Sequence, residues 1–395
     1  MLDHFKFQLN TRLSFGIGVT RKLPDLIRQE GFRKALILVD QGVADGADYF
    51  SEMVDEIFKK IPEREYIFLR DTKEPDYDYL DIVTEQARSH TDADVIIGIG
   101  GGSCLDVTKA VAVLMTNPGR GIDYRGFDKV LNPGIPTIAI PTTAGTGSEV
   151  TVNAVFTDIT EMKKLGINGR YMNATYAILD AHWTMSCPQT TAVSSGIDAM
   201  THALESYTCR QHNDLTRMYS KEAFRLLYND LPTIVDEPDN LSRRQNLLLG
   251  SFLAGIALVN SGSGIAGAMS YPLGVHFGVP HGIGGGIFLT SVIEYNIEKG
   301  YEAYAELMDL IGTQHDRHAE DRNVGFLERM RRLVLRLNVP QYLNEFGIDG
   351  KNIDQLVQFM IPLQAAFDQN PVPFSARKNA PELLFRHMRN DGITI

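Results

Sequence analysis

The sequence predicts an α/β fold in two parts: an N-terminal α/β domain with a parallel sheet over residues 1–185, then an all-helical C-terminal domain over 186–395. Three observations predict it. Short, continuously apolar runs alternate with helix-like segments through the first half, the pattern of strands covered on both faces. Beyond about residue 187 apolar residues recur at helical spacing and strand-like runs become scarce. The length of 395 residues also exceeds what a single core commonly serves.

The elements follow in order. Residues 35–39 are apolar and close on Asp40, residues 47–60 have helical spacing, and residues 65–69 form a second strand. A helix over 78–90 leads to a third strand, 94–99, which runs into glycines. Residues 105–115 read as an apolar helix, and 136–141 and 176–179 as buried strands. Helices are then expected over 190–208, 214–229, 241–259, 301–311, 323–337 and 352–367. Residues 245–293 contain no Asp, Glu, Lys or Arg, which is long enough to raise a membrane span. Asn246, Asn260, His276 and His281 interrupt that run, and Pro272 and Pro280 would break a spanning helix. The stretch therefore reads as buried core around a site, with no membrane span.

Bulk properties exclude some functions. The net charge is -11 and no basic stripe is visible, which argues against a nucleic-acid partner. Cys104, Cys187 and Cys209 are few, odd in number and unpaired as CxxC, which favours a reducing compartment over a zinc-thiolate site. Residues 1–7 carry no apolar signal-like segment, so a cytoplasmic location is expected.

Two polar turns follow buried strands. In Gly98-Ile99-Gly100-Gly101-Gly102-Ser103, glycines let backbone N–H groups approach a pyrophosphate at a helix N-terminus. Asp106 and Lys109 continue onto the first turns of that helix. In Pro141-Thr142-Thr143-Ala144-Gly145-Thr146-Gly147-Ser148-Glu149, hydroxyls and free amides suit phosphate and ribose; a capped helix start is the plain alternative. Asp40, at a strand end, is placed to accept from ribose hydroxyls and would repel a 2′-phosphate, which favours NAD over NADP.

The metal-ligand pattern is split. Asp198 and His202 in Gly196-Ile197-Asp198-Ala199-Met200-Thr201-His202 stand at i and i+4, so both project from one helix face. His281, in Val279-Pro280-His281-Gly282, supplies a third ligand from another helix and leaves a coordination position open. Two nitrogens and one oxygen do not separate iron, zinc, manganese and nickel.

Taken together, Asp40, residues 98–109, 141–150, 196–207 and 260–282, and the late Asn370-Pro371-Val372-Pro373-Phe374 resemble the iron-containing (group III) alcohol dehydrogenase family. That family shares its dehydroquinate synthase-like architecture with glycerol dehydrogenases. The resemblance implies a homodimer with a nicotinamide cofactor in the cleft and a divalent metal, iron or zinc, held by one Asp and three His. It adds Val150, Lys163 and Leu179 to the cofactor contacts. Asp198, His202 and His281 match three of the four metal ligands, but Gly267 holds the place of the fourth. Tyr271 stands where the family usually has another His near nicotinamide and substrate, so Tyr271 and His281 are the expected catalytic positions.

The metal is then held by three residues, or with His276 as a replacement, or not at all. A ligand-deficient variant is similar to the branch that oxidises the terminal (C8) hydroxyl of 3-deoxy-manno-octulosonate, which implies lipopolysaccharide biosynthesis. The resulting expectation is an enzyme that oxidises a primary or secondary alcohol, of a sugar or sugar acid, by hydride transfer to NAD(P). A catalytically silent nucleotide-binding homologue and a sugar-phosphate cyclase are the alternatives.

Overall fold

Strands that are apolar on both faces need cover on both, and parallel neighbours need a crossover between them. The chain meets both demands with helices. The computed structural model describes residues 4–46, 48–70, 74–90, 92–311 and 321–389. Its strands are β1 (Arg12–Phe15), β2 (Lys34–Asp40), β3 (Glu63–Leu69), β4 (Val95–Gly100), β5 (Gly126–Phe127), β6 (Thr137–Pro141), β7 (Asn153–Asp158), β8 (Lys163–Asn168) and β9 (Tyr176–Leu179). Between them run α1 (Leu23–Gln29), α2 (Gln41–Gly46), α3 (Asp48–Glu56), α4 (Tyr77–Arg88) and α5 (Gly102–Leu114). The expected helix over 47–60 thus ends at Glu56, and its first residue lies outside the described ones.

Six strands form one parallel sheet in the order β1-β9-β6-β4-β2-β3. Alternation sends Leu36, Leu38 and Ile96 to the face covered by α4 and α5, and Ile37, Val39, Ile97 and Ile99 to the face covered by α1 and α3. From β2 the chain moves outward to β3, whereas from β4 it moves the other way, to β6. Beyond the carboxyl ends of β2 and β4 lies the crevice where such sheets bind ligands. Asp40 ends one of these strands and Gly100 the other.

A second sheet, β5-β8-β7, contains an antiparallel β7–β8 hairpin that the sequence reading did not anticipate. Only one face of each hairpin strand is buried, so neither shows an apolar run.

The second half is helical: α6 (Gln189–Thr208), α7 (Asp214–Asp230), α8 (Thr233–Asp236), α9 (Leu241–Ser261), α10 (Ile265–Phe277), α11 (His281–Glu298), α12 (Tyr304–Ile311), α13 (Arg322–Arg336), α14 (Ile353–Met360), α15 (Gln364–Phe367) and α16 (Ala376–Arg386). The single helix expected over 352–367 is broken into α14 and α15 around Pro362. The uncharged stretch from 245 to 293 forms most of α9, all of α10 and most of α11. Among the described residues no single helix is long and apolar enough to cross a membrane, and the α9–α10 pair bends by 101°. Leu248, Phe252 and Ile256 of α9 pack on Ala177 and Leu179 of the sheet, which fixes the two halves against each other.

Candidate metal and cofactor site

The buried helix α6 positions the first two ligands. Asp198 and His202 are 6% and 9% exposed, so both are committed to the interior, one turn apart on the same face. His281 enters as the first residue of α11, after Pro280. Close approach of α11 to α6 requires Gly282, because a Cβ there would lie 2.0 Å from the Ser194 carbonyl and 3.0 Å from Asp198 Cβ.

Ligand atoms of Asp198, His202 and His281 all lie within 4.8 Å of one another. Nε2 of His202 and Nε2 of His281 each stand 3.7 Å from Asp198 Oδ1. That separation is too long for a hydrogen bond. It is close to the roughly 3.4 Å expected between two tetrahedral ligands each about 2.1 Å from one cation. Nδ1 of His202 is buried without a hydrogen-bond partner. Burial pushes the His281 imidazole down to about 4, so it is neutral at physiological pH, the form that ligates metal. The three side chains therefore fit a divalent cation.

Gly267 lies on α10, and what occupies the space of its missing side chain is Glu205. A Cβ at 267 would stand 2.9 Å from Glu205 Oε2 and 3.1 Å from Ser263 Oγ. Glu205 is one turn beyond His202 on α6 and is held by Gly264 N–H, Gly267 N–H and the Ser263 hydroxyl. It thus caps the N-terminal turn of α10, where the helix dipole favours a carboxylate. His276 is not a replacement ligand. Its ring stacks on Phe359, with centroids 3.7 Å apart, at the far end of α10.

The two polar turns meet. Thr142 N–H donates to the Gly100 carbonyl, and a Cβ on Gly102 would lie 2.6 Å from Thr146 Oγ1 and Cγ2. A Cβ on Gly101 would lie 3.4 Å from Thr143 Oγ1, and Ser103 follows in the first turn of α5. Asp106 accepts from the Ser148 hydroxyl and Val155 N–H and pairs with buried Lys109 at 3.2 Å. Asp40 lies beside Gly100 and accepts from the N–H groups of Gly42 and Val43. The threonine turn also abuts the metal helix: a Cβ on Gly145 would be 2.8 Å from Ser195 Cβ, three residues before Asp198.

Three of the expected cofactor contacts direct their side chains elsewhere in this fold. Lys163 is exposed and pairs with Glu161, because alternation along β8 turns its neighbour Lys164 inward instead. Lys164 is half-buried, pairs with Glu74 at 2.5 Å, and its charge acts on His281. Val150 and Leu179 are core side chains packed with Leu248 and Phe252, and offer no side chain to a ligand.

The comparisons then decide the family. The model described as iron-containing alcohol dehydrogenase matches residues 10–181, and its C-terminal counterpart matches residues 192–384. The chain belongs to the iron-containing alcohol dehydrogenase family. It is 31% identical over 350 residues to alcohol dehydrogenase 4 of Schizosaccharomyces pombe, covering 87% of this chain and 80% of that one. It superposes on the alcohol dehydrogenase from Oenococcus oeni with a TM-score of 0.90 at 25% identity, over 97% of this chain and 100% of the other. Sulfoacetaldehyde reductase from Bifidobacterium kashiwanohense in complex with NAD+ gives 0.88 at 25% identity, over 99% and 100%. As a member of this family the protein is an alcohol oxidoreductase.

Within this iron-type dehydrogenase, Tyr271 stands against the metal-site histidine His281. Its ring lies 5.0 Å from that of His281. Burial, then the charges of Asp198, Glu205 and Asp106, push its phenol up to about 12, so it stays protonated. Glu205, Ser270 and Lys164 were not singled out from sequence. An acid, serine or lysine inside a regular element carries no local signal of its neighbours.

Proposed function

We propose that this enzyme passes hydride between NAD and a primary or secondary alcohol, and that the alcohol belongs to a polyhydroxylated sugar or sugar acid. The observation that carries this reading is the Asp198–His202–His281 triangle, with its 3.7 Å spacings, beside the glycine and threonine turns. A bound divalent cation would supply Lewis-acid polarisation of a substrate oxygen, and the nicotinamide the hydride acceptor. The functional division is residues 1–185 for the cofactor and 186–395 for metal and substrate, with the cleft between them.

The chain's own groups orient and exclude. Gly100, Gly101, Gly102 and Ser103 offer backbone and hydroxyl to a pyrophosphate, with Thr142, Thr143, Thr146 and Ser148 opposite. Asp40 at the end of β2 disfavours a 2′-phosphate, which supports NAD, as does the NAD+ complex of the sulfoacetaldehyde reductase. Tyr271 holds its proton at the phenol oxygen, available to a substrate hydroxyl.

Three protein ligands leave coordination positions open to substrate oxygens. Lys164, which pairs with Glu74 and whose charge reaches His281, is the cation a substrate carboxylate would share with Glu74. The reading extends to a homodimer in a reducing cytoplasm. It is supported by the exposed Leu13, Phe15 and Ile17 at the β1 edge and by three free cysteines.

The test is a panel of alcohols, diols, sugars and sugar acids, including 3-deoxy-manno-octulosonate, assayed for NADH after loading with iron or zinc. Alcohol-dependent NADH formation strongest on polyhydroxylated acids supports the proposal. NAD binding with no turnover on any alcohol favours a silent homologue, and phosphate release from sugar phosphates without net NADH favours a cyclase.

A further inference from the structure

Ser270 sits on α10, fully buried, with its Oγ 2.6 Å from His281 Nδ1 and 2.6 Å from the Gly267 carbonyl oxygen. A serine hydroxyl has one proton and a carbonyl has none. At 2.6 Å the contact with Gly267 needs that proton, since two bare oxygens so close would repel. Oγ then faces Nδ1 with lone pairs only, and the remaining hydrogen of that contact must come from the imidazole. The proton order is therefore His281 Nδ1–H to Ser270 Oγ, and Ser270 O–H to the Gly267 carbonyl. Nε2, the nitrogen 3.7 Å from Asp198 Oδ1, is left bare.

We propose that Ser270 is a positioning residue of the metal centre, selecting the His281 tautomer whose Nε2 lone pair points at the cation. The proposal rests on the metal reading above. Without a fixed acceptor at Nδ1 a neutral imidazole divides its proton between its two nitrogens, and only one of those forms ligates through Nε2. The geometry is closed on the other side too, because α11 presses on Ser270: a Cβ on Gly284 would lie 3.0 Å from Ser270 Cβ. Gly267 thus serves the centre through its backbone carbonyl.

The test joins nitrogen NMR of histidine-labelled, metal-free protein to zinc titration against a chromophoric chelator. His281, assigned by loss of its signals in His281→Asn, is expected to carry its proton on Nδ1. Ser270→Ala is expected to lose that preference and to bind zinc more weakly by on the order of tenfold or more, with Asp198→Ala as the control. A proton on Nε2 in the unsubstituted protein overturns the proposal. So does wild-type zinc affinity in Ser270→Ala when Asp198→Ala has lost it. Unchanged affinity in Asp198→Ala instead overturns the metal reading itself. Should Ser270→Ala fail to fold, Ser270→Cys, whose sulfur is a weak acceptor of similar shape, gives the same comparison and a smaller loss.

Discussion

The carboxylate of Glu205 accepts from Gly267 N–H at 3.0 Å while its other oxygen lies 2.9 Å from the point where a side chain at 267 would begin. Two other donors hold the same group, so it cannot step aside freely. Glycine at 267 and glutamate at 205 are therefore matched.

Gly267→His accordingly does not simply restore a fourth imidazole. The collision begins at Cβ, and the variant is expected to lose about 1–3 kcal/mol of stability, with Gly267→Ala changing in the same direction. Urea unfolding measures it. Wild-type stability in Gly267→His would show that Glu205 yields without cost.

The meeting of the two polar turns makes a second prediction. In Gly102→Ala the new methyl lands on Thr146, an exposed side chain that moves, so the fold survives but the turn changes shape. NAD affinity, read by fluorescence titration, should fall by on the order of tenfold, with the melting temperature nearly unchanged. Undiminished affinity would place the cofactor elsewhere.

Glu149 gives a pH dependence. It is buried, and burial pushes its carboxyl up to about 7 from 4.5. Between those values the folded state binds more protons than the unfolded one, so stability falls as pH rises. The contribution is whole below 4.5 and lost by about 7, amounting to on the order of 3 kcal/mol. Glu149→Gln should remove this slope, so the stability gap between variant and wild type widens in the variant's favour from pH 4.5 to 8. Parallel pH profiles in urea unfolding would contradict it.

Much of this arrangement is legible in the sequence, for physical reasons that differ by residue. Strands β2, β4 and β6 are apolar on both faces and announce themselves as runs. Asp198 and His202 are one helical turn apart, so their shared face follows from spacing alone. The β7–β8 hairpin and α10 were hidden, the first by its polar outer face and the second by Pro272 and its glycines. The choice between Lys163 and Lys164 depends on strand register, which the sequence does not state. Glu205 and Ser270 act across helices, through a carbonyl and amides whose neighbours only the fold reveals.

The central claim is one cation held jointly by α6 and α11. Its most direct measurement is metal content after anaerobic purification, compared between the unsubstituted protein and Asp198→Ala. The account predicts about one divalent metal per chain in the first and a fraction of that in the second, with folding intact by circular dichroism. Equal metal in both, or none in either after loading with iron or zinc, would contradict it.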